Sequence, residues 1–380
     1  MKKQKICIIG DGLTGLSTAL ALCRLNIDIH LIIRPTSKNS LLDNRTTAIS
    51  PSNHKFLMKH LKKTESRFFW PSNKVDLYYE QRENYSHFMN FENSGKNLMY
   101  VIENYKIKNI FFKKINNTKN IKVIKKEVHK IDEKNSKVIF KKNSNQYDLI
   151  LLCVGKKSEL LEKLTGKRFI ESDYNEIAYT TIIQHKEKIL GAKQYFLKEG
   201  PLAILPISKN KFSLIWSIDK KYNLKITEKL LKTKLKKILS LNLETKLKIS
   251  KIDFFPISFR LNKNFSKNNV LILGEGSYNI HPIAGQGFNL ILRDVEKLYY
   301  ELHKYLSLGM QIRDSSILTK FINYRKPENL LFGIGINMIN NFFKYDKVTY
   351  PVKKIILKDI NKFKFLKDLN IKISDTGIFK

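Results

Sequence analysis

The chain is poor in residues that advertise special chemistry. Its three cysteines, Cys7, Cys23 and Cys153, lie in apolar strand or helix contexts and form no CxxC pair. That excludes a disulfide framework and a cysteine metal site, and it reads as reduced core thiols of a cytosolic protein. The eight histidines are scattered, so neither a metal-ligand spacing nor a nucleophile–base pair emerges. No run of about 18 apolar residues occurs, which argues against a membrane-spanning helix. After Met1-Lys2-Lys3-Gln4-Lys5 the chain passes straight into a strand and a glycine loop, with no signal-peptide cleavage region. Acidic residues are scarce, 34 against 70 lysines and arginines, for a formal net charge of +36. Such a charge invites a nucleic-acid reading. Only ten of the basic residues are arginine, however, and the lysines are spread along the whole length beside abundant Asn and Ile. That spread fits an AT-rich codon bias better than a phosphate-binding face, so no nucleic-acid partner is expected, although an anionic membrane surface is still favoured.

What is there is the composition of a globular protein, 42% hydrophobic over 380 residues, long enough for two interleaved domains. Ile6-Cys7-Ile8-Ile9 is a short apolar run, followed by Gly10-Asp11-Gly12-Leu13-Thr14-Gly15 and a helical pattern over residues 16–25. A second apolar run over Ile27–Ile33 completes a βαβ unit, and in that setting the glycine pattern predicts dinucleotide binding. Gly10 permits the tight turn, Gly12 lets a pyrophosphate approach the backbone, and Gly15 lets helix pack on strand.

Residues 39–54 are polar and turn-rich. Within them Arg45 offers a planar, bidentate cation that suits a phosphate or a flavin edge, or pairs with Asp43 on a solvated loop. Residues 75–91 alternate imperfectly and predict a strand excursion into a second domain. Residues 100–112 read as the start of a helix, 121–128 and 137–140 as strands, and 148–155 as a buried strand ending in Gly. Residues 200–207 and 212–217 read as two strands joined by a short turn. Residues 225–239 read as an amphipathic helix with an ordinary core stripe, and the chain from about 317 onward as helical. The aromatics and lysines of that tail suit either packing on the first domain or lying on a membrane or a partner.

The most informative stretch runs from Gly274 to Asp294. An apolar strand leads into a loop in which Gly285 and Gly287 flank Gln286, then into a helix closing on Arg293-Asp294. Backbone N–H groups and a positive helix end at such a loop suit an anion, including the pyrimidine edge of a reduced flavin. The core His281-Pro282-Ile283-Ala284-Gly285-Gln286-Gly287-Phe288-Asn289-Leu290 resembles the second flavin fingerprint of the FAD-dependent aromatic-ring hydroxylases, in particular the ubiquinone-biosynthesis hydroxylases of the UbiH, UbiF and VisC type. The resemblance extends in collinear order from about residue 5 to 345.

It implies an α/β fold in which a Rossmann-like FAD-binding domain (1–72, 98–172 and 264–316) is interleaved with a smaller β-sheet substrate domain (73–97 and 173–263), followed by a helical C-terminal region (317–380). It also implies an FAD-dependent monooxygenase that hydroxylates a polyprenylated phenol with O2 through a flavin C4a-hydroperoxide. Reduction would come from NADPH, NADH or another donor, and the setting would be cytoplasmic or peripheral at an inner membrane, beside other ubiquinone-biosynthesis enzymes. Carried over by position, the cofactor contacts are Gly10, Gly12, Leu13, Thr14, Gly15, Arg45, Glu103, Gly274, Glu275, Pro282, Gly285, Gln286, Gly287, Phe288 and Asn289. No acid or base is assigned; His281 would either donate a hydrogen bond near the ring or shape the loop. Three positions depart from the family: Ile33 replaces the acid for the adenosine ribose, Val154 replaces the aspartate of an Asp-Gly pair, and Glu275 lengthens an aspartate. Each of the first two losses costs about 1.5–3 kcal/mol of charge-assisted hydrogen bonding, partly recovered if Arg34 reaches the pyrophosphate. Two rival functions remain: a catalytically silent scaffold subunit of a quinone-biosynthesis assembly, and a flavin-dependent isoprenoid reductase.

Overall fold

The computed structural model describes all residues except 1–2, 36–42, 82–83, 94, 167–168, 187–190, 223–225, 241–245, 345–356, 358–359 and 380, and the side chains of all the rest except Ala284, Ser315 and Ile360. Its first layer is a six-stranded sheet in the order Ser266–Lys267, Val270–Ile272, Leu149–Leu152, Gln4–Ile9, Ile27–Ile33, Ile121–Lys125. The last five of these are mutually parallel. Parallel strands buried on both faces need continuous apolar runs, and Ile6, Cys7, Ile8, Leu149, Ile150, Leu151 and Leu271 are fully or almost fully buried. Helix α1 (Leu13–Leu22) packs on this sheet beside α3 (Asn104–Asn116) and α6 (Gly287–Ser307), and α2 (Pro51–His60) touches both α1 and α6.

The second layer is a nine-stranded sheet. Its order is Tyr278–Asn279, Asp253–Asn262, Phe169–Gln184, Lys211–Asp219, Gly200–Ser208, Ala192–Leu197, Lys74–Gln81 and Asn84–Glu92, with Lys248–Ile249 paired to Phe169–Gln184. The expected strand pair at 200–217 is present as an antiparallel hairpin. Helix α4 (Glu159–Thr165) follows the first sheet's Leu149–Leu152, and α5 (Glu228–Leu239) covers the second sheet with Leu231, Leu235 and Ile238 buried, an ordinary core stripe. Thr227 caps α5 through its side chain, so the helix starts later than 225.

The helix expected within 100–112 starts only at Asn104. Met99–Glu103 is instead the middle strand of a three-stranded sheet between Thr46–Ile49 and Trp70–Ser72, because its β-branched and aromatic residues find partners on both edges. The strand expected within 121–128 stops at Lys125, where its parallel neighbour ends at Ile33. The polar segment 39–54 holds a strand and the start of α2 rather than loop alone, with Ser50 as the side-chain cap of α2; its residues 39–42 lie outside the described ones.

The tail forms α7 (Ser315–Lys344) and α8 (Lys364–Thr376). Their inner faces are held by a buried charge cluster: Arg325 Nε lies 2.6 Å from Asp294 Oδ1, Arg325 also pairs with Glu328, and Tyr278 donates to Asp294 at 2.8 Å. Arg293 donates to the Ser374 carbonyl at 2.6 Å. Asp375 accepts from the Ser52 backbone N–H at 2.7 Å and the Ser52 hydroxyl at 2.9 Å, so the last helix caps α2. The outer faces leave Leu331, Ile334, Met338 and Phe365 exposed. No described helix is long and apolar enough to cross a membrane.

His54 stacks on Tyr100 with ring centroids 3.8 Å apart, and His60 packs edge-on against Phe56. His54 Nε2 and both His60 nitrogens have no hydrogen-bond partner among the described residues. Burial pushes both rings down to about 4. They fold neutral, while the unfolded chain takes up protons below about 6.5, so their contribution to stability is complete above that pH and declines as pH falls toward about 4. Thermal melts across this window should show falling Tm, and the slope should become shallower in His60→Phe; an unchanged slope in the variant would exclude His60 as a source.

Candidate flavin site

Two loops meet at the carboxyl ends of the parallel strands. The first is the glycine turn into α1. Gly10 adopts φ +132°, and a Cβ there would collide with the Cys153 carbonyl; a Cβ at Gly15 would collide with the Gly10 carbonyl. These two glycines therefore serve protein packing. A Cβ at Gly12 would meet nothing within 4 Å, so the space beside it is open. Gly12 is the N-cap of α1, without a side-chain cap and with no acidic residue in the first turn. Leu13 and Thr14 begin the helix, and Thr14 lies against Gly274, whose φ of +75° and missing Cβ let the second loop cross the first.

In that second loop, Gly274–Gly276 forms a 3-10 turn after Val270–Ile272. The Glu275 carboxylate lies 3.8 Å from where a Gly155 Cβ would stand. Pro282 opens another short turn through Gly285, whose φ of +62° brings it against Ala48. Helix α6 starts at Gly287 with Gln286 as N-cap, again with neither a side-chain cap nor an acidic first turn, and a Cβ at Gly287 would meet nothing within 4 Å. Two helix starts thus retain N–H donors and a positive end for an anionic ligand. Gln286 is buried, yet its Oε1 has no hydrogen-bond partner among the described residues. An orphaned buried acceptor at a loop with open space on its flank fits a ligand that brings an N–H.

Asn289, placed by the resemblance among the contacts, is tied to protein. Its Nδ2 donates to the Ala48 carbonyl at 3.0 Å and the Gly285 carbonyl at 3.3 Å, while its Oδ1 accepts from the Ser50 N–H at 2.9 Å and Asn53 Nδ2 at 3.0 Å. It fixes the loop against Thr46–Ile49 and α2. Phe288 packs between the two cores flanking α6. His281 is fully buried, and its ring nitrogens face Glu176 at 2.7 Å and the Ile283 N–H at 3.2 Å, so in this structure it shapes the loop.

Arg45 pairs with Asp43, the second of the two readings the sequence left open. Its guanidinium grips Asp43 at 2.8 and 2.7 Å and lies 5.1 Å from the Phe255 ring centroid. The Asp43 hydrogen bonds, opposed by burial, hold it above its ordinary range, and the Glu275 and Asp253 carboxylates add to this. It therefore stands within the field of the second loop. Glu103 is buried at the start of α3 and pairs with Lys106, while its neighbour Asn104 accepts from the Thr47 hydroxyl at 2.6 Å. Ile33 is buried in the core and Val154 packs with the cluster around Leu161, so neither offers a polar group. Arg34 is exposed beyond the strand.

Sequence reasoning missed Lys156, which follows Gly155 and donates to Ser258 Oγ at 2.6 Å, and Arg260, which donates to the Lys156 carbonyl at 2.8 Å. Burial pulls Lys156 below its ordinary range, with Glu275 and Glu171 opposing. Two lysines directly after the departed Asp-Gly position were the available signal. Across the loop, Ala48, Val101, Leu205 and Ile215 form an apolar layer between the Thr46–Ile49 strand and the second sheet. Among the described residues no group of His, Cys, Asp and Glu could hold a metal ion.

The glycines make a clean test. Gly12→Val and Gly287→Ala should leave the thermal melt within about 1 kcal/mol of wild type, since small changes without clashes do little, yet weaken dinucleotide binding. Gly10→Ala should lower stability itself, by at least about 1–3 kcal/mol of backbone strain. Unchanged flavin uptake in Gly12→Val would sink the assignment of the first loop.

No protein-family model matches the chain. It is 26% identical to the mitochondrial ubiquinone biosynthesis monooxygenase COQ6 of Dictyostelium discoideum over 215 residues, covering 48% of this chain and 43% of that protein. It is 24% identical to the ubiquinone hydroxylase UbiL of Rhodospirillum rubrum, covering 52% and 47%. These matches thus span less than half of the relatives' length. A longer match, 23% identical over 93% of this chain and 84% of the relative, is to the ubiquinone hydroxylase UbiM of Neisseria meningitidis. In structure the chain is similar to p-nitrophenol 4-monooxygenase PnpA of Pseudomonas putida, with a TM-score of 0.79 at 14% identity over 100% and 99% of the two chains. Klebsiella pneumoniae HpxO, complexed with FAD and uric acid, gives a TM-score of 0.75 at 15% identity over 98% and 96%. In sequence the chain is thus similar to ubiquinone-biosynthesis hydroxylases, and in fold to the monooxygenase PnpA and to FAD-complexed HpxO.

Proposed function

We propose that the chain binds FAD and hydroxylates the phenolic ring of a polyprenylated ubiquinone precursor with O2. The observation that carries this is the Gln286 loop: an orphaned buried acceptor between two glycines, at an uncapped helix start, with Gly285 against Ala48 of an apolar layer. When bound, the flavin supplies the oxygen chemistry. The chain's own residues then have definable tasks. The Gly10–Gly15 turn and Arg45 receive the pyrophosphate, and Glu275 meets the ribityl hydroxyls. Gln286 and the N–H groups of Gly287 and its neighbours receive the pyrimidine edge and stabilise charge there. The apolar layer around Ala48, Val101 and Leu205 holds the phenol and keeps water out.

The same reading assigns residues 1–72, 98–172 and 264–316 to the flavin domain, 73–97 and 173–263 to the substrate domain, and 317–380 to the C-terminal region. A greasy tail suits Phe254 and Phe255, 66% and 37% exposed beside Arg45. The apolar outer faces of α7 and α8, studded with lysines, suit an anionic membrane surface. A reduced nicotinamide or another carrier supplies the electrons.

The test has two steps. Visible flavin bands should survive desalting after FAD is added, and product formed under heavy-isotope dioxygen should gain one labelled oxygen. Addition of two hydrogens without oxygen would point to the reductase, and a folded, colourless protein that never takes up FAD would point to the scaffold.

A further inference from the structure

The turn that presents Gln286 is governed from the other sheet. Glu176 lies on Phe169–Gln184, where pairing with Asp253–Asn262 slips between Asp173 and Glu176 and Asn175 adopts φ +57°. Such a bulge re-aims the side chains that follow it. Here Glu176 is turned into the interior, with its side chain 2% exposed, 2.7 Å from His281 Nε2, whose side chain is 0% exposed. The His281 Nδ1 must accept, because the Ile283 backbone N–H points at it from 3.2 Å. The proton therefore resides on Nε2 and is donated to Glu176 Oε2. The edge of the imidazole meets Tyr174, ring centroids 4.9 Å apart.

The second Glu176 oxygen is also claimed. Asn340 Nδ2 donates to Oε1 at 3.2 Å and Lys344 Nζ at 3.1 Å, both from the end of α7. Lys344 bonds in addition to the Tyr174 carbonyl at 2.8 Å and to Asp219 Oδ2 at 3.0 Å. Burial opposes the charge on Glu176, but the His281 hydrogen bond, Lys344 and Asn340 outweigh it and hold the carboxyl below its ordinary range. An ionised group buried this deeply contributes less to stability than an apolar filling of the same volume would, so its role is better sought in orientation.

We propose that Glu176 is the positioning residue of the flavin loop: it selects the Nε2–H tautomer of His281, leaving Nδ1 to hold the Ile283 N–H and with it the turn that presents Gln286. The inference rests on the flavin reading of that loop for its consequence in binding, though not for the tautomer itself.

Nitrogen NMR of the wild-type protein should show His281 as a single Nε2–H tautomer; an Nδ1–H or doubly protonated ring would overturn the proposal. Glu176→Gln is the isosteric variant. Asn340 and Lys344 both donate, so the amide oxygen should turn to them and leave its NH2 facing His281. The imidazole should then switch to Nδ1–H, and exchange protection of the Ile283 amide should fall. FAD affinity, followed by fluorescence, should drop about tenfold, the equivalent of one ordinary lost hydrogen bond. Glu176→Gln with unchanged tautomer, protection and FAD affinity would refute the role. A wild-type chain that takes up no FAD would instead refute the flavin reading, while the tautomer and the Ile283 amide still decide the proposal on the protein without cofactor.

Discussion

Everything at the site depends on one short crossing. Val270–Ile272 belongs to the parallel sheet, and six residues after its end Tyr278–Asn279 is already paired with Arg260 and Leu261 of the second sheet. A chain that must leave one sheet and join another in so few residues has little conformational choice left. The Asn262 N–H to Ser277 carbonyl bond at 2.8 Å and the Asn279 side chain on the Ser258 carbonyl at 2.7 Å tighten it further. The residues that follow, from His281 to Gly287, are therefore delivered to a place determined jointly by both layers. Loops positioned by rigid elements hold binding groups more exactly than free loops do.

Two kinds of polar burial maintain that delivery. Asn289 works through neutral hydrogen bonds, satisfying backbone groups of the loop and of Thr46–Ile49 at once. The Asp294–Arg325–Glu328 cluster works through charge, tying α6 to α7 beneath the loop. Buried charges are tolerated only when every partner is present. The tail is thus part of the architecture of the loop, even though its outer surface is apolar and exposed.

Much of this was legible in the chain. The Gly10–Gly15 turn could be read because a backbone approach so close admits only glycine, and the strand, loop and helix of 270–294 because glycines mark the turns between them. Strand-versus-helix errors arose where periodicity is ambiguous: Met99–Glu103 is apolar enough for either, and its two strand partners, Thr46–Ile49 and Trp70–Ser72, decided the matter. The partner of His281 could not be read. Glu176 is 105 residues away, and its inward turn depends on a bulge that leaves no local signature beyond Asn175 in a left-handed conformation. Arg45 shows a different limit: its grip on Asp43 is local, whereas the influence of Glu275, 230 residues away, has no local sequence signal.

The cap on α2 carries a consequence for biogenesis. The backbone of Ser52 is satisfied by Asp375, 323 residues further along. During synthesis α2 emerges with its local Ser50 cap alone, and the Ser52–Asp375 and Ser50–Asn289 contacts stay unmade until most of the chain has followed. The strands of the first sheet all precede residue 273, whereas the start of α2 is completed only when the last helix arrives. A ribosome-bound or prematurely terminated chain would thus present the first turn of α2 without the partner that the last helix supplies.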